Sequence, residues 1–519
     1  MSFSKVFSVQ NNLLKAQIID IECDLSRGMH SFGIVGLGDK SIDEAKDRIS
    51  SAIKNCGLKS PKQGQNKVII SLAPANIKKN GPIFDLAMAL CFLKSSKQIL
   101  FSNTNKVFIG ELSLDGKLRK VKGVLPMVVE AKKRGLTEIF VPVGNAIEAA
   151  LVRGVTVFPC TDLISVISHL DESKENNIKI LEQEETEIEN TSYTNKEVLF
   201  EHIKGNENAK RAMVVALSGG HNICLYGPPG TGKTMLAKTA QTLLPKLSLA
   251  DVLDVTALHS VAGECDGRVV TTSPFRAPHH TSSHVSIVGG GTEIKPGEIS
   301  LAHKGVLFMD EFPEFDRRVI NSLRQPVEDR EVKISRAKES ATLPADFILM
   351  ISMNPCPCGF YGYDSKQCTC SMNQIMKYQK KISGPIMDRV DIWIEVSAID
   401  YKKLIDENKK NITVDATGFA KEQIRKTREY QFENNKAYLN KEILNGNLST
   451  DNLEKIIMFD EGVKSFFDES AERLCLSARS YTRILKVALT ISQMNNDLEI
   501  KKEHILEALS WRPSNKFFV

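Results

Sequence analysis

The stretch GPPGTGKT, Gly227 to Thr234, constrains this chain more than any other part of it. It fits the pattern G-x-x-x-x-G-K-[ST], a loop whose backbone N–H groups curl around phosphates. In that chemistry Gly227, Pro228, Pro229, Gly230, Thr231 and Gly232 form the cradle. Lys233 reaches the β and γ oxygens, and the Thr234 hydroxyl ligates Mg2+. Such a loop works only between a buried strand and a helix. NICLY ahead of it reads as the strand, and MLAKTAQTLL behind it reads as a helix stopped by Pro245. Strand–loop–helix units build parallel sheets covered by helices, so the expected fold class is α/β. A chance Gly-rich turn is the competing reading, and the flanking pattern argues against it.

A phosphate cradle needs acid nearby, on an apolar strand. GVLFMDEF supplies one: Val306 to Met309, then Asp310 and Glu311. Asp310 is the candidate to hold Mg2+ through water, and Glu311 the candidate base for the attacking water. A further strand, FILMISM, ends at Asn354. A polar group at the tip of a strand beside the acidic one can orient that water against the γ-phosphate. A turn-forming Asn before Pro is the bland alternative.

A chain of 519 residues exceeds one core, so two to four domains are expected. No apolar run approaches twenty residues, so no membrane span is expected. The N-terminal MSFSKVFSVQNNLLKAQ lacks a signal peptide's apolar core, which makes the cytoplasm the expected location. A net charge of +5 is too small, on this length, to argue for nucleic acid alone. Residues 1–170 alternate strand-like and helix-like patterns. SFGIVGLG reads as strand and turn, and Ile42, Ala45, Ile49 and Ile53 share one helix face. VIISLAP reads as a strand, Pro82 opens a helix, and VFIGELSL with KLRKV reads as a hairpin about Asp115-Gly116. VLPMVVEAKKR reads as a helix ending at Gly135, and EIFVP as a strand. Residues 171–196 are acid-rich and read as a linker, 197–397 as a second α/β region, and 398–519 as helical. Gly36 and Gly38 hint at a dinucleotide fingerprint, but Ser41 stands where the third glycine belongs.

NPCPCGFYGYDSKQCTC begins at Asn354 and holds two Cys-x-Cys pairs. In a reducing compartment clustered thiols favour metal over disulfides. Cys356, Cys358, Cys368 and Cys370 make a closed four-thiolate set suited to structural Zn2+, with Asp364 the only competing ligand type in the loop. Cys-x-Cys is a tighter spacing than Cys-x-x-Cys, and reduced free thiols or a disulfide stand as alternatives. A metal here would hold Asn354 in register.

GGHNICLYGPPGTGKTMLA, PFRAPHHTSS, PGEISLAHKGVLFMDEFPEF, NPCPCG and GPIMDRVDI together resemble the AAA+ ATPases. Within them they resemble the magnesium-chelatase-like clade, and closely the ComM/YifB family; the resemblance extends to both flanking regions. It implies a P-loop AAA+ core (197–397) with a helical lid (398–519), preceded by a Lon-protease-like, ribosomal S5-like α/β domain (1–170). GPIMDRVDI resembles the segment carrying an arginine finger, so Arg389 would reach a neighbouring subunit's γ-phosphate; pairing with Asp388 or Asp391 is the alternative. LSARSYTRILKVA resembles the sensor-2 helix, with Arg479 the candidate and Arg483 the runner-up. REVKISRAKESATLPADF, about 331–346, resembles a hairpin that lines the ring's pore. Lys333, Arg336 and Lys338 would there track a DNA backbone. Glu331 and Glu339 leave a solvated mixed-charge hairpin as the alternative. PFRAPHHTSS resembles the clade's other insertion; His279 and His280 carry no metal reading, only a structural or pore-loop one.

In the front domain KKNGPIFDLAMAL resembles the Lon segment with the nucleophilic serine, but Ile83 stands in that place. Leu125, Pro126 and Met127 fill the neighbourhood of the lysine base. Without a Ser-Lys dyad the domain is expected to be a non-proteolytic scaffold or DNA-binding module. The resemblance as a whole implies a homo-hexameric ATPase using ATP and Mg2+. It implies a helicase on single-stranded or branched DNA that promotes branch migration in recombination, with recombination proteins as partners. A chelatase-type ATPase subunit and a protein-remodelling ATPase are the rivals. A protease lacks its nucleophile, and a dead nucleotide-binding scaffold conflicts with intact Lys233, Asp310 and Glu311.

Overall fold

The computed structural model describes residues 2–36, 38, 40–63, 65–79, 81–173, 177–188, 198–265, 267–291, 294–335, 340–363, 366–382, 384–397 and 415–513. The chain divides into two compact units: Met1–Ser192 with Ser248–Thr271, and Tyr193–Leu247 with Thr272–Val519.

The first unit opens with two long antiparallel strands, Ser2–Asn12 and Lys15–Arg27, which sequence patterning passed over. They continue into a four-stranded sheet with Asn66–Ala73 and then Ser31–Val35. The helix Lys40–Asn55 turns Ile42, Ala45, Ile49 and Ile53 into the core at helical spacing. The helix Asp85–Ser95 is apolar nearly all round and is buried along its length, as such a helix must be. A second, parallel sheet joins Lys106–Phe108, Glu138–Pro142 and Thr156–Cys160.

VFIGELSL is therefore not one hairpin strand. Lys106–Phe108 pairs in parallel with Glu138–Phe140, and only Glu111–Leu112 pairs with Leu118–Arg119. The break falls at Gly110, whose N–H donates to Ile83 O, and where a side chain would meet Leu118 at 2.7 Å. Residues 177–188, read as linker, run along this unit: Gln183 N donates to Val157 O and Ile180 N to His169 Nδ1. The helix Leu249–Ala262, read as part of the ATPase region, also packs here. Gly123 N donates to Ser260 O, and the buried Glu148 carboxylate accepts from Leu125 N and Ser260 Oγ. Burial holds the Glu148 carboxyl above the usual range.

The second unit is built on a five-stranded, all-parallel sheet. Its order is Phe275–Arg276, Val306–Met309, Ile348–Met353, Ile223–Tyr226, Ile392–Glu395. The first strand in sequence thus lies between the fourth and fifth, and the direction of winding reverses at that strand. In open parallel sheets such a reversal places a binding crevice at the strands' carboxyl ends. The strands are buried on both faces, matching their continuous apolar runs. The helices Ala416–Leu439, Ala478–Met494 and Lys502–Ser510 share one hydrophobic core with this sheet through Ile424, Ile484, Val487 and Ile505. Among the described residues no helix is long and apolar enough to cross a membrane.

Candidate nucleotide site and cysteine cluster

The cradle starts where the Ile223–Tyr226 strand ends. Gly227 has φ 153°, and a side chain there would meet Val396 O at 2.3 Å, so the next strand admits only glycine. Gly232 sits in the left-handed region at φ 88° and caps the helix Lys233–Leu243. That helix N-terminus faces the loop with free N–H groups and its positive dipole end, a ready anion site. Lys233 is nearly buried. Its Nζ donates to Gly227 O at 2.8 Å, to Pro228 O at 2.7 Å and to Asn354 Oδ1 at 3.2 Å. Burial pulls its ammonium down to about 8, against the opposing pull of Asp310. At neutral pH it therefore still carries charge for a phosphate.

Thr234 Oγ1 donates to Asp310 Oδ2 at 2.8 Å, and Ser352 Oγ donates to the other oxygen of the same carboxylate. A hydroxyl and a carboxylate beside a phosphate cradle are the donor set that Mg2+ takes. Glu311 is held at φ 51°, a left-handed backbone that costs a non-glycine residue roughly 1 kcal/mol or more. Its side chain is 57% exposed and lies 3.4 Å from His280 Nδ1.

Sequence reading gave His280 no place in this site. The parallel pairing of Phe275–Arg276 with Val306–Leu307 sends the segments after both strands to the same end of the sheet, where His280 meets Glu311. His280 also packs against the tilted ring of His279 and meets Phe315 edge-on. The edge strand is only two residues long, too short to be read as a strand from its sequence.

Asn354 follows the Ile348–Met353 strand and leads into the cysteine segment. Sγ of Cys356 lies 3.3 Å from that of Cys358 and 3.7 Å from that of Cys368; Cys358 and Cys368 are 3.5 Å apart. All four sulfurs, Cys370 included, lie within 4.8 Å of one another. Thiolates about 2.3 Å from a tetrahedral ion stand roughly 3.8 Å apart, so the set fits a closed metal site. The spacing is far longer than a disulfide bond, and the four are free cysteines. Cys358 N and Tyr361 N donate to Cys370 and Cys356 sulfurs, the bonds that stabilise thiolates. The cluster abuts the cradle: a side chain on Gly359 would meet Pro229 at 2.5 Å. The chain returns through the helix Met372–Gln379, whose Gln379 Nε2 donates to Pro355 O. Asp364 lies outside the described residues.

The arginines sit elsewhere on the sheet. Asp391 N and Ile392 N both donate to Asn222 O, and Asn222 Nδ2 donates to Arg389 O at 3.1 Å. Arg389 is thus fixed at the amino edge of the sheet, while the cradle lies past the carboxyl end of the same strand. Four residues of strand put roughly 13 Å between these edges. The Arg389 guanidinium is 8% exposed and pairs with Glu328 at 2.7 Å, not with Asp388 or Asp391. Asp391 is taken by Arg483, whose Nη1 also donates to Arg389 O at 2.9 Å. Arg479 is 59% exposed and stands 3.9 Å from the same Glu328. The structure therefore groups Arg479 with Arg389 and gives Arg483 a structural task.

The hairpin forms from Glu331–Ser335 and Ser340–Pro344, paired in register from Glu331↔Pro344 to Ser335↔Ser340. Val332, Ile334 and Leu343 face inward, and Lys333 is exposed. Arg336 and Lys338 lie outside the described residues. In the first unit Leu125, Pro126 and Met127 are buried in the helix Val124–Lys133, and Ile83 lies in the turn Pro82–Phe84.

The sequence matches the family described as "Magnesium chelatase, subunit ChlI" over residues 199–404. It also matches "Subunit ChlI of Mg-chelatase" over 21–145 and "Magnesium chelatase, subunit ChlI C-terminal" over 416–512. It is 36% identical to competence protein ComM of Haemophilus influenzae, over 99% of this chain and 98% of that protein. It is 34% identical to YifB of Escherichia coli, over 100% of this chain and 99% of that protein. It is 38% identical to the Mycobacterium tuberculosis protein Rv2897c, over 76% of this chain and 77% of that protein.

Proposed function

The chain belongs to the ComM/YifB family of magnesium-chelatase-like AAA+ ATPases, and on that premise we propose that it is a ring-forming motor whose ATP hydrolysis drives strand separation or branch migration of DNA. The observation that carries the DNA reading is the hairpin Glu331–Pro344, which presents Lys333 from between the acidic strand and the Asn354 strand. A cation at that place follows a phosphate backbone without reading bases.

Hydrolysis follows from the residues present. Lys233 and the loop N–H groups hold the β- and γ-phosphates in line. Thr234 and Asp310 would hold Mg2+, which would supply positive charge to offset that of the phosphates. Asn354 orients a water and Glu311 takes its proton as the oxygen attacks the γ-phosphorus, releasing ADP and phosphate. Because Arg389 lies at the opposite edge of the sheet from its own cradle, it serves a neighbour's nucleotide. A head-to-tail interface of that kind closes into a ring, here a hexamer by family analogy. Arg479 stands at the same carboxylate, so it faces the same neighbouring phosphate as the sensor.

The cysteine cluster would hold Zn2+ through four thiolates, a structural role because no ligand position stays open. Purified protein is expected to carry about one zinc ion per chain. Stripping it with a strong chelator should lower the melting midpoint and weaken ATP binding together, since Gly359 abuts Pro229. Full retention of both after verified zinc loss would overturn this assignment. The first unit, with Ile83 and the apolar triplet 125–127 where a dyad would need Ser and Lys, serves as a non-proteolytic module.

The deciding experiment is ATP turnover with and without single-stranded or forked DNA, in parallel with Lys333→Ala. DNA is expected to raise turnover several-fold. Lys333→Ala should leave the DNA-free rate intact, weaken DNA affinity and reduce its salt slope by about 1. Hydrolysis indifferent to DNA would move a chelatase-type or protein-remodelling role to the front.

A further inference from the structure

Glu328 belongs to none of the parts assigned so far, yet three of them meet at it. Its carboxylate takes the Arg389 guanidinium at 2.7 Å on one oxygen and has Arg479 at 3.9 Å on the other. Arg389 is nearly buried in this pair. Its main chain cannot drift, because Arg483 and Asn222 both hold its carbonyl. The side chain is held to Glu328 by charge, so the state of that carboxylate bears on how readily the guanidinium leaves. A γ-phosphate from a neighbouring subunit would have to win Arg389 from Glu328.

The second observation is where Glu328 stands in the chain. It lies in the short helix Arg324–Asp329, and only Arg330, at φ 58°, separates that helix from the hairpin strand Glu331–Ser335. The left-handed Arg330 makes this a tight corner, so a pull on the hairpin reaches Glu328 within three residues. Arg330 is itself pinned, donating through Nη1 to Phe347 O at 2.6 Å, beside the Asn354 strand. Hairpin, corner and carboxylate thus form one lever.

We propose that Glu328 is a positioning residue that latches Arg389 within its own subunit while the hairpin is empty, and yields it to the neighbour's phosphate when DNA displaces the hairpin. This rests on the reading that Arg389 acts on a neighbouring nucleotide and that the hairpin touches DNA. It supplies what that reading lacks, a reason for DNA to change the rate of hydrolysis.

The test is Glu328→Gln, which keeps the shape and removes the charge. Glu328 is 38% exposed, so the neutral amide is tolerated by the fold, and a melting curve checks this. DNA-free turnover is expected to rise about five-fold, the worth of one partly exposed ion pair, with a lower KM for ATP. Turnover at saturating DNA should stay at the wild-type value, so the stimulation ratio falls by the same factor. Glu328→Asp, which keeps the charge on a shorter arm, should fall between. A mixing experiment runs alongside: Arg389→Ala subunits, whose own cradle is intact, are combined with Glu311→Gln subunits, which still offer Arg389. If mixing restores turnover but Glu328→Gln leaves the DNA-free rate unchanged or lowers it, the latch is wrong and the finger stands. If mixing restores nothing, the finger reading fails and takes the latch with it.

Discussion

Glu311→Gln is expected to bind ATP as tightly as the parent chain and to hydrolyse it about 100- to 10,000-fold more slowly. The amide has the carboxylate's shape but cannot accept the water's proton. Nothing that holds the nucleotide changes: Lys233 keeps its contacts to Gly227, Pro228 and Asn354, and Thr234 keeps its bond to Asp310. The backbone strain at Glu311 is also unchanged, since Gln is no worse than Glu at φ 51°. Phosphate release measured beside equilibrium binding of a fluorescent ATP analogue separates the two effects. Turnover within ten-fold of the parent would place the base on another residue, with His280 first in line at 3.4 Å from this carboxylate.

Arg389→Ala is expected to cost about 1,000- to 100,000-fold in turnover, the range for a trans-acting arginine. The loss should be shared rather than private. A chain lacking Arg389 damages its neighbour's site, so mixtures with Glu311→Gln chains should regain activity that neither has alone. The side chain is 8% exposed and its loss leaves Glu328 without its near partner, so the melting midpoint must be followed too. Arg389→Lys keeps the charge but not the planar fork, and should recover stability better than rate. An Arg389→Ala chain that keeps full turnover would reduce this residue to a structural ion pair.

The nucleotide site was legible because its spacing is dictated by phosphate chemistry. An eight-residue loop with Lys233 and Thr234 at its end has few other uses. Asp310 and Asn354 were legible for a related reason: each closes a long apolar run, and such runs end where the sheet meets the ligand. Residues that depend on register were not. His280 reaches Glu311 through a strand of two residues, and no periodicity survives at that length. Glu328 reaches Arg389 across 61 positions of sequence, a pairing that only the fold decides. Asn222 opens the run NICLY, and only the fold shows its carbonyl taking Asp391 N and Ile392 N together. In Ser2–Asn12 the alternation is lost at Ser8, Val9 and Gln10, all buried; in Lys15–Arg27 it was there to be read, since Ile19, Ile21, Cys23 and Leu25 bury in strict alternation. The segment 248–271 was misplaced for a plainer reason: sequence neighbours are presumed to fold together, and here they do not.

That last placement has a bearing on how this polypeptide can be cut. The chain leaves the first unit after Ser192, returns for Ser248–Thr271, and leaves again. Val252, Val255 and Leu258, buried in that returning helix, belong to the front unit although they are encoded inside the rear one. A protease nick or a gene truncation near residue 192 therefore does not yield two clean pieces. The front fragment loses the helix that Gly123 N and the Glu148 carboxylate bond to through Ser260, and the rear fragment carries that helix away from those partners. The two units are thus interleaved along the chain rather than laid end to end.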